Sequence, residues 1–218
     1  MARLLLASGS PRRRELLRLL GIPFQVVVPH GVETSPPSGD AHLLASQLAR
    51  QKASSVAHEG ADALIVAADT LVVLNGRILG KPEDAAAARA MLDALRGRQH
   101  QAITGLAILP ASTQSPRVQS VETQVWMRVY GDHEAAAYVA RGEPFDKAGS
   151  YAIQDPLFRP VERIEGCYAN VMGLPLCHLF VALKEAGVAA PAGLPRVCEA
   201  YTGHTCPIAE GVLKAGNR

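Results

Sequence analysis

Leu4-Leu5-Leu6-Ala7-Ser8-Gly9-Ser10-Pro11-Arg12-Arg13-Arg14-Glu15-Leu16-Leu17 is an apolar run that breaks at small residues and restarts as a helix. It reads as strand, tight turn, helix. Ser10 is a good N-cap and Pro11 a good first helical residue, so free backbone N–H groups of that turn point outward past the strand end, where an anion can take them. Arg12 and Arg13 add planar, permanently charged forks that suit phosphate oxygens. Leu16, Leu17 and Leu20 keep the far side of the helix in a core. A basic first turn works against the helix dipole unless an anion compensates it. Three solvated arginines on a surface helix are the alternative reading.

A chain of 218 residues can bury a full core and is near the upper size of one α/β domain. The expectation is one domain over 1–186 and a weakly structured tail over 187–218, where Ala, Gly and Pro dominate. Charged residues make up 19%, the net charge is +2 and aromatics are 5%, which argues against a broad nucleic-acid face or a base-stacking platform. No apolar run reaches the length of a membrane span and no signal-peptide pattern opens the chain, so a cytoplasmic protein is expected. Cys167, Cys177, Cys198 and Cys206 are too few, and too clustered toward the end, for a secreted disulfide framework.

Further along, Phe24 to Val28 reads as a second strand, and the loop after it places Glu33 just past a strand end. A helix from a cap at Asp40 to His58 puts Leu44, Leu48 and Lys52 on one inward stripe. Leu64-Ile65-Val66-Ala67-Ala68 has the continuous apolar character of a strand buried on both faces, ending at Asp69-Thr70, where ligands gather in α/β sheets. Leu71 to Leu74, an Asn75-Gly76 turn and Arg77 to Leu79 form a hairpin leading to Gly80-Lys81-Pro82. That last triplet is not a P-loop, because Asn75 replaces its first Gly and Pro82 its magnesium-binding Ser or Thr. A helix from about Glu83 to Leu95, two long strands from Gln99 and Val118, a helix near Asp132 to Arg141, an irregular charged loop from Gly142 to Gln154 and a last amphipathic helix ending near Ala186 complete the pattern.

Separate element ends thus offer Arg12, Arg13, Lys52 and Lys81 as cations and Glu33 and Asp69 as carboxylates. Together they suit a metal-bound polyphosphate: cations neutralise phosphate oxygens, while Mg²⁺ needs only one or two carboxylates besides phosphate and water. A serine hydrolase is disfavoured, since no G-x-S-x-G is present and Ser8 and Ser10 are better placed to cap.

On these residues the chain resembles the Maf family of nucleotide pyrophosphatases over about residues 3 to 184. The likeness rests on Ser8-Gly9-Ser10-Pro11-Arg12-Arg13, Glu33-Thr34, Ala49-Arg50-Gln51-Lys52-Ala53, Ala68-Asp69-Thr70, Gly80-Lys81-Pro82, Thr104-Gly105, Asp146 to Gln154 and Asn170 to Pro175, in the family's order and spacing. The resemblance implies an elongated mixed-sheet α/β fold, of the inosine triphosphate pyrophosphatase type, with two lobes around a central cleft, often as a homodimer. It implies hydrolysis of nucleoside triphosphates to monophosphate and pyrophosphate with Mg²⁺ or Mn²⁺. By position, Asp69 takes the proton-acceptor role and Glu33 and Asp69 the metal. Arg12, Thr70 and Gln154 fall at specificity positions, and Ser8, Arg13, Lys52 and Lys81 at substrate-binding ones. Ser10-Pro11-Arg12-Arg13 with Asp69-Thr70 resembles the branch acting on dTTP and UTP, with modified nucleotides as further candidates.

The departures are Ala68 and Ala152 where the family often has Gly, and Asp155-Pro156 after Gln154. A stiffened loop there could alter base selection without touching phosphate chemistry. The rival reading is a non-catalytic regulatory or nucleic-acid-binding protein that uses the Arg12/Arg13 turn as a phosphate grip. In the tail, Cys198, His204 and Cys206 could bind zinc, but no fourth ligand is evident; reduced thiols or a local disulfide are the alternatives.

Overall fold

A computed structural model describes residues 3–30, 39–60, 62–110, 113, 115–188 and 193–216. Glu33 lies outside the described residues.

The opening motif forms as read. β1 (Arg3–Ala7) runs into α1 (Pro11–Arg18), with Ser10 Oγ accepting from the Arg13 N–H at 3.4 Å. β1 lies between β2 (Phe24–Val27) and β3 (Ala63–Leu74), parallel to both. Such an interior parallel strand is covered on both faces, which is why it carries an unbroken Leu run. β4 (Arg77–Leu79) folds back on β3 through Asn75 and Gly76, whose positive φ values of 50° and 77° suit the tight hairpin turn favoured by Asn-Gly. Beyond β3 the sheet is antiparallel through β5 (Gln99–Pro110), β6 (Arg117–Met127) and β7 (Val161–Glu165), in the order β2-β1-β3-β5-β6-β7. It is a mixed α/β fold with a seven-stranded sheet.

The strand expected to stop at Asp69-Thr70 does not stop. β3 continues through both residues for 12 in all. What ends is its neighbour. β1 pairs with β3 only as far as Ala7 opposite Ala67, and β4 begins opposite Val72, so residues 68–71 face a gap on that edge. On the other edge β5 pairs from Leu64 to Val73 without interruption, and this one-sided ladder keeps the strand extended through two polar residues.

Side-chain alternation gives the sheet two faces. Leu5, Ala7, Ile65, Ala67, Ala107 and Leu109 lie on one, packed with Ala49 and Ala53 of α2 (Ala41–Ser55). α2 begins at the Asp40 cap as expected, the carboxylate accepting from the His42 N–H at 2.8 Å. The opposite face is covered in two places by α3 (Ala85–Leu95), α4 (Asp132–Ala140), α5 (Tyr168–Met172) and α6 (Leu176–Glu185). Leu4, Leu6, Leu64 and Val66 pack with α1, α5 and α6, while Val72, Leu74 and Ala102 pack with α3 and α4. These are two lobes on one side of the sheet.

The segment expected to be weakly structured carries α7 (Leu194–Thr202) and α8 (Ala209–Ala215). Leu194, Cys198 and Ala209 are buried in the first lobe's cluster, and the Tyr201 hydroxyl donates to Glu15 of α1 at 2.7 Å. Leu194 and Cys198 stand at i, i+4 on one face, but helices of 9 and 7 residues are too short for that spacing to dominate a Gly- and Pro-rich background. No helix among the described residues is long and apolar enough to cross a membrane.

Candidate active site

The gap beside β3 opens into a cavity of about 710 Å³ whose wall includes Ser8, Arg12, Arg13, Lys52, Asp69, Thr70, Lys81 and Gln154. Every expected site residue that lies among the described residues is therefore on one hollow. Asp69 and Thr70, adjacent on an extended strand, point to opposite faces of the sheet. One cavity reaches both because the sheet is missing a strand there.

On the α2 face, Asp69 is paired across the ladder with Gly105. A Cβ at 105 would lie 2.0 Å from the Ala45 carbonyl oxygen, so the absence of a side chain lets the α2 backbone rest directly on β5. Two turns further along the same helix face, Lys52 Nζ meets Asp69 Oδ1 in an ion pair. Burial pulls the Lys52 pKa down; Asp69 opposes this, and Arg13 and Lys81 add to it. Asp69 Oδ2 receives no hydrogen bond from any described residue. It offers a hard oxygen to the cavity, and Asp146 is a second carboxylate in the wall. No three His, Cys, Asp or Glu side chains among the described residues form a complete metal cage. That donor set fits Mg²⁺ or Mn²⁺ bound through one or two carboxylates, with phosphate and water filling the shell.

On the other face, Arg13 is fixed at both ends of its guanidinium. Nε donates to the Gly173 carbonyl at 2.8 Å and Nη2 to Thr70 Oγ1 at 3.0 Å. Thr70 Oγ1 lies 2.9 Å from Thr104 Oγ1, which donates to the Asn170 carbonyl at 3.1 Å. A hydroxyl has one proton; Thr104's is committed to Asn170, so Thr70 donates to Thr104. Thr70 therefore acts on the cavity by aiming Arg13, with no proton left to offer a base. Gly173 has φ 111°, and a Cβ there would sit 3.2 Å from Arg13 Nε. Burial lowers the Arg13 pKa, Asp69 raises it and Arg12 lowers it.

The first turn of α1 offers fewer N–H groups than its sequence suggests. Pro11 has none and that of Arg13 is capped by Ser10, leaving the N–H of Arg12. Ser8 is buried and its Oγ accepts from the Ser10 N–H at 3.1 Å, a turn-building role. Arg12 reaches across the mouth to Asp146, Nη1 to Oδ2 at 3.0 Å, and Lys147 Nζ donates to the other oxygen at 2.6 Å. Burial pushes the Asp146 pKa up, but Lys147 and Arg12 outweigh it and hold the carboxyl below its ordinary value. Asp146 and Lys147 line the cavity without having been named as site residues from sequence, although they open the Asp146 to Gln154 stretch on which the family likeness partly rests. Lys81 is exposed at the rim and forms no ion pair with a described residue.

Gln154 is half-buried in the wall, and its side-chain amide makes no hydrogen bond to a described residue. The residue after it is anchored hard. Asp155 accepts from Arg141 Nη2 at 2.8 and 3.0 Å and from the N–H groups of Leu157 and Phe158. The Asp155-Pro156 departure is thus a turn anchored by the buried Asp155 carboxylate, with Pro156 exposed, that stiffens the chain beside Gln154. Tyr151, also in the wall, shares a 2.7 Å hydrogen bond with His100 Nε2, and burial takes the His100 pKa down to about 4.

A family model described as Maf-like protein matches residues 3–186. A protein of Thermomicrobium roseum named dTTP/UTP pyrophosphatase is 49% identical, with 99% of each chain covered. Proteins of the same name from Pelotomaculum thermopropionicum and Oleidesulfovibrio alaskensis are each 44% identical over 86% of this chain, covering 98% and 87% of their own. The Ham1 protein of Staphylococcus aureus overlays on 57% of this chain and 71% of its own at a TM-score of 0.41 and 15% identity. With identity of this order running from β1 through α6, the chain belongs to the Maf-like protein family.

Proposed function

We propose that the protein hydrolyses nucleoside triphosphates, dTTP and UTP foremost, to the monophosphate and pyrophosphate. The observation that carries this reading is the gathering of Arg12, Arg13, Lys52 and Lys81 around Asp69 on one cavity. Relatives over nearly the whole chain are named dTTP/UTP pyrophosphatase, which supports the substrate class. A divalent cation held by Asp69 Oδ2, with Glu33 as its second carboxylate, would neutralise phosphate oxygens and orient the chain of phosphates when bound.

Water attacks the α-phosphorus, and Asp69 takes the water proton. Lys52 holds that carboxylate in place through their ion pair. The bond from the α-phosphorus to the bridging oxygen breaks, and pyrophosphate leaves with the charge. Arg12, Arg13 and Lys81 meet that charge as it develops. Arg12 exchanges Asp146 for phosphate on binding, while Arg13 is held in place throughout by Gly173 and Thr70. Gln154, whose amide makes no hydrogen bond to a described residue, faces the base.

The test is pyrophosphate release from dTTP with Mg²⁺, and again in excess chelator. Asp69→Asn is expected to lower turnover by about 10²-fold or more with the fold intact, the range for losing a general base. Wild-type turnover in that variant would overturn the assignment of the base. Strongly salt-dependent oligonucleotide binding without turnover of any triphosphate would overturn the enzymatic reading.

A further inference from the structure

Arg12, Arg13, Lys52 and Lys81 line the cavity, and two of them already carry a carboxylate. Lys52 is paired with Asp69 and Arg12 with Asp146. Asp69 has a task at the reacting phosphorus. Asp146 lies at the mouth, its side chain 54% exposed, and its effect is to occupy a phosphate-binding cation before any phosphate arrives. The arginines differ in how they are tethered. Arg13 is held at both ends of its guanidinium by Gly173 and Thr70. Arg12 makes a single side-chain hydrogen bond to a described residue, from Nη1 to Asp146 Oδ2 at 3.0 Å, and neither Nε nor Nη2 adds another. Of the two, Arg12 is the one free to swing.

Asp146 stays in place when Arg12 leaves it. Its Oδ1 accepts from Lys147 Nζ at 2.6 Å, and that buried lysine also donates to the Glu143 carbonyl and reaches the Glu143 carboxylate at 3.3 Å. The loop is pinned as well. The Lys147 N–H donates to the Pro144 carbonyl and the Gly149 N–H to the Gly80 carbonyl, each at 3.0 Å. Gly149, at φ 69°, rests so close to β3 that a Cβ there would lie 2.8 Å from Val72 Cγ1. A carboxylate bridging an arginine and a lysine presents its two oxygens as a phosphate does. Arg12 is thus shared between a fixed acceptor in the protein and whatever polyanion enters the cavity.

We propose that Asp146 is an internal counter-ion that competes with phosphate for Arg12 and thereby loosens the grip of the site on pyrophosphate. The inference rests on the cavity being a triphosphate site. When the triphosphate enters, Arg12 turns to it and Asp146 keeps Lys147. Once the bond to the α-phosphorus has broken, pyrophosphate is no longer tethered to the nucleoside and only its own contacts retain it; the return of Arg12 to Asp146 removes one of them. A competitor of this kind weakens substrate and product alike, so it raises KM and the dissociation constant of pyrophosphate without lowering the barrier at phosphorus. Asp146 is a positioning residue, acting through Arg12.

The full chain is titrated calorimetrically with inorganic pyrophosphate in excess chelator, so that neither metal nor turnover enters. Asp146→Asn is expected to bind it about fivefold tighter than the wild type, the upper range for losing a half-exposed ion pair, and Asp146→Glu as the wild type does. Losing a negative charge also favours any anion through the general field, so the titration is repeated with Arg12→Gln, where adding Asp146→Asn is expected to gain less than about twofold. With dTTP and Mg²⁺, Asp146→Asn is expected to lower KM and the pyrophosphate inhibition constant together, without raising kcat. Unchanged or weaker pyrophosphate binding by Asp146→Asn, the same gain with Arg12→Gln, or a higher Mg²⁺ requirement that makes Asp146 a metal ligand would each overturn the proposal. Asp146→Ser carries the same titrations where Asp146→Asn does not fold. A wild type that turns over no triphosphate would overturn the hydrolase reading, and the metal-free titration would still decide this one.

Discussion

Gly105→Ala adds one methyl group at the place where helix, sheet and the Asp69 carboxylate meet. The new Cβ would lie 2.0 Å from the Ala45 oxygen, 2.2 Å from its carbonyl carbon and 2.6 Å from the Ser46 nitrogen. All three are backbone atoms of α2, so no rotamer change relieves the clash. Relaxed contacts sit at about 3.5 Å, which requires α2 to rise by about 1.5 Å over β5. Overpacking that moves a backbone costs about 3 kcal/mol, and here Ala45, Leu48, Ala49 and Ala53 all lose part of their contact with the sheet. Lys52 rides on the same helix, and a catalytic group misplaced by about 1 Å costs on the order of 10²-fold in rate. The expected outcome is a lower urea midpoint with unchanged m-value, and pyrophosphate release from dTTP reduced about 10²-fold under conditions where the variant is folded. A wild-type midpoint would refute the packing argument. A lowered midpoint with full turnover would refute the claim that this contact sets Lys52 against Asp69.

Thr70→Val removes the oxygen between Arg13 and Thr104; leaving their polar groups unpaired costs about 1–3 kcal/mol, read as roughly tenfold or more in kcat/KM, with Thr70→Ser restoring it. If Thr70→Val changes base preference and not kcat/KM for dTTP, the hydroxyl reads substrate directly after all. Gln154→Leu is expected to narrow discrimination among pyrimidine and purine triphosphates by about tenfold, a kinetic ratio measured on a substrate panel. His100 is held neutral, its pKa lowered from 6.5 to about 4 by burial. As pH falls below 6.5 the unfolded chain takes up that proton and the folded one does not, so about 3 kcal/mol of stability is lost by pH 4. Comparing the pH dependence of unfolding with that of His100→Gln isolates the effect. Half-buried His178, lowered in the same direction, contributes to both proteins and cancels; parallel curves would show that burial does not hold His100 neutral.

The strand-turn-helix opening, the Asn75-Gly76 hairpin, the Asp40 cap and the inward stripe of Lys52 were legible because each is fixed by residues within a few positions of one another. The continuity of β3 was not. Whether a strand survives two polar residues depends on the β5 ladder along its far edge, a contact between segments about 35 residues apart that no local pattern encodes. The role of Thr70 was hidden for the same reason. Its position beside Asp69 is visible in the sequence, but the destination of its proton depends on Thr104 and Asn170. α7 and α8 were missed because their stability comes from docking on the first lobe and not from propensity, as is usual for helices this short.

The site exists because two neighbours of β3 fall short of each other, and the sequence shows what stops each. β1 ends where the Ser8 N–H turns to the Leu6 and Val27 carbonyls, carrying the chain off β3 and toward β2. β4 is limited to three residues by the Asn-Gly turn on one side and, on the other, by Gly80, whose carbonyl accepts from the Gly149 N–H at 3.0 Å as the chain leaves β3. Between these stops, residues 68–71 of β3 keep one edge unpaired, and that edge is long enough for one side chain to each face at the centre of the gap. Asp69 consequently meets the lysine of the α2 face while Thr70 meets the arginine of the lobe face, one residue apart. Moving the register of β3 by a single residue would break both contacts, placing either Asp69 against Thr104 and Ala68 against Lys52, or Thr70 against Lys52 and Leu71 against Thr104. The apolar residues that fix that register, Ile65 and Ala67 against α2, Leu64 and Val66 against the lobe, are therefore as much a part of the chemistry as the charges are.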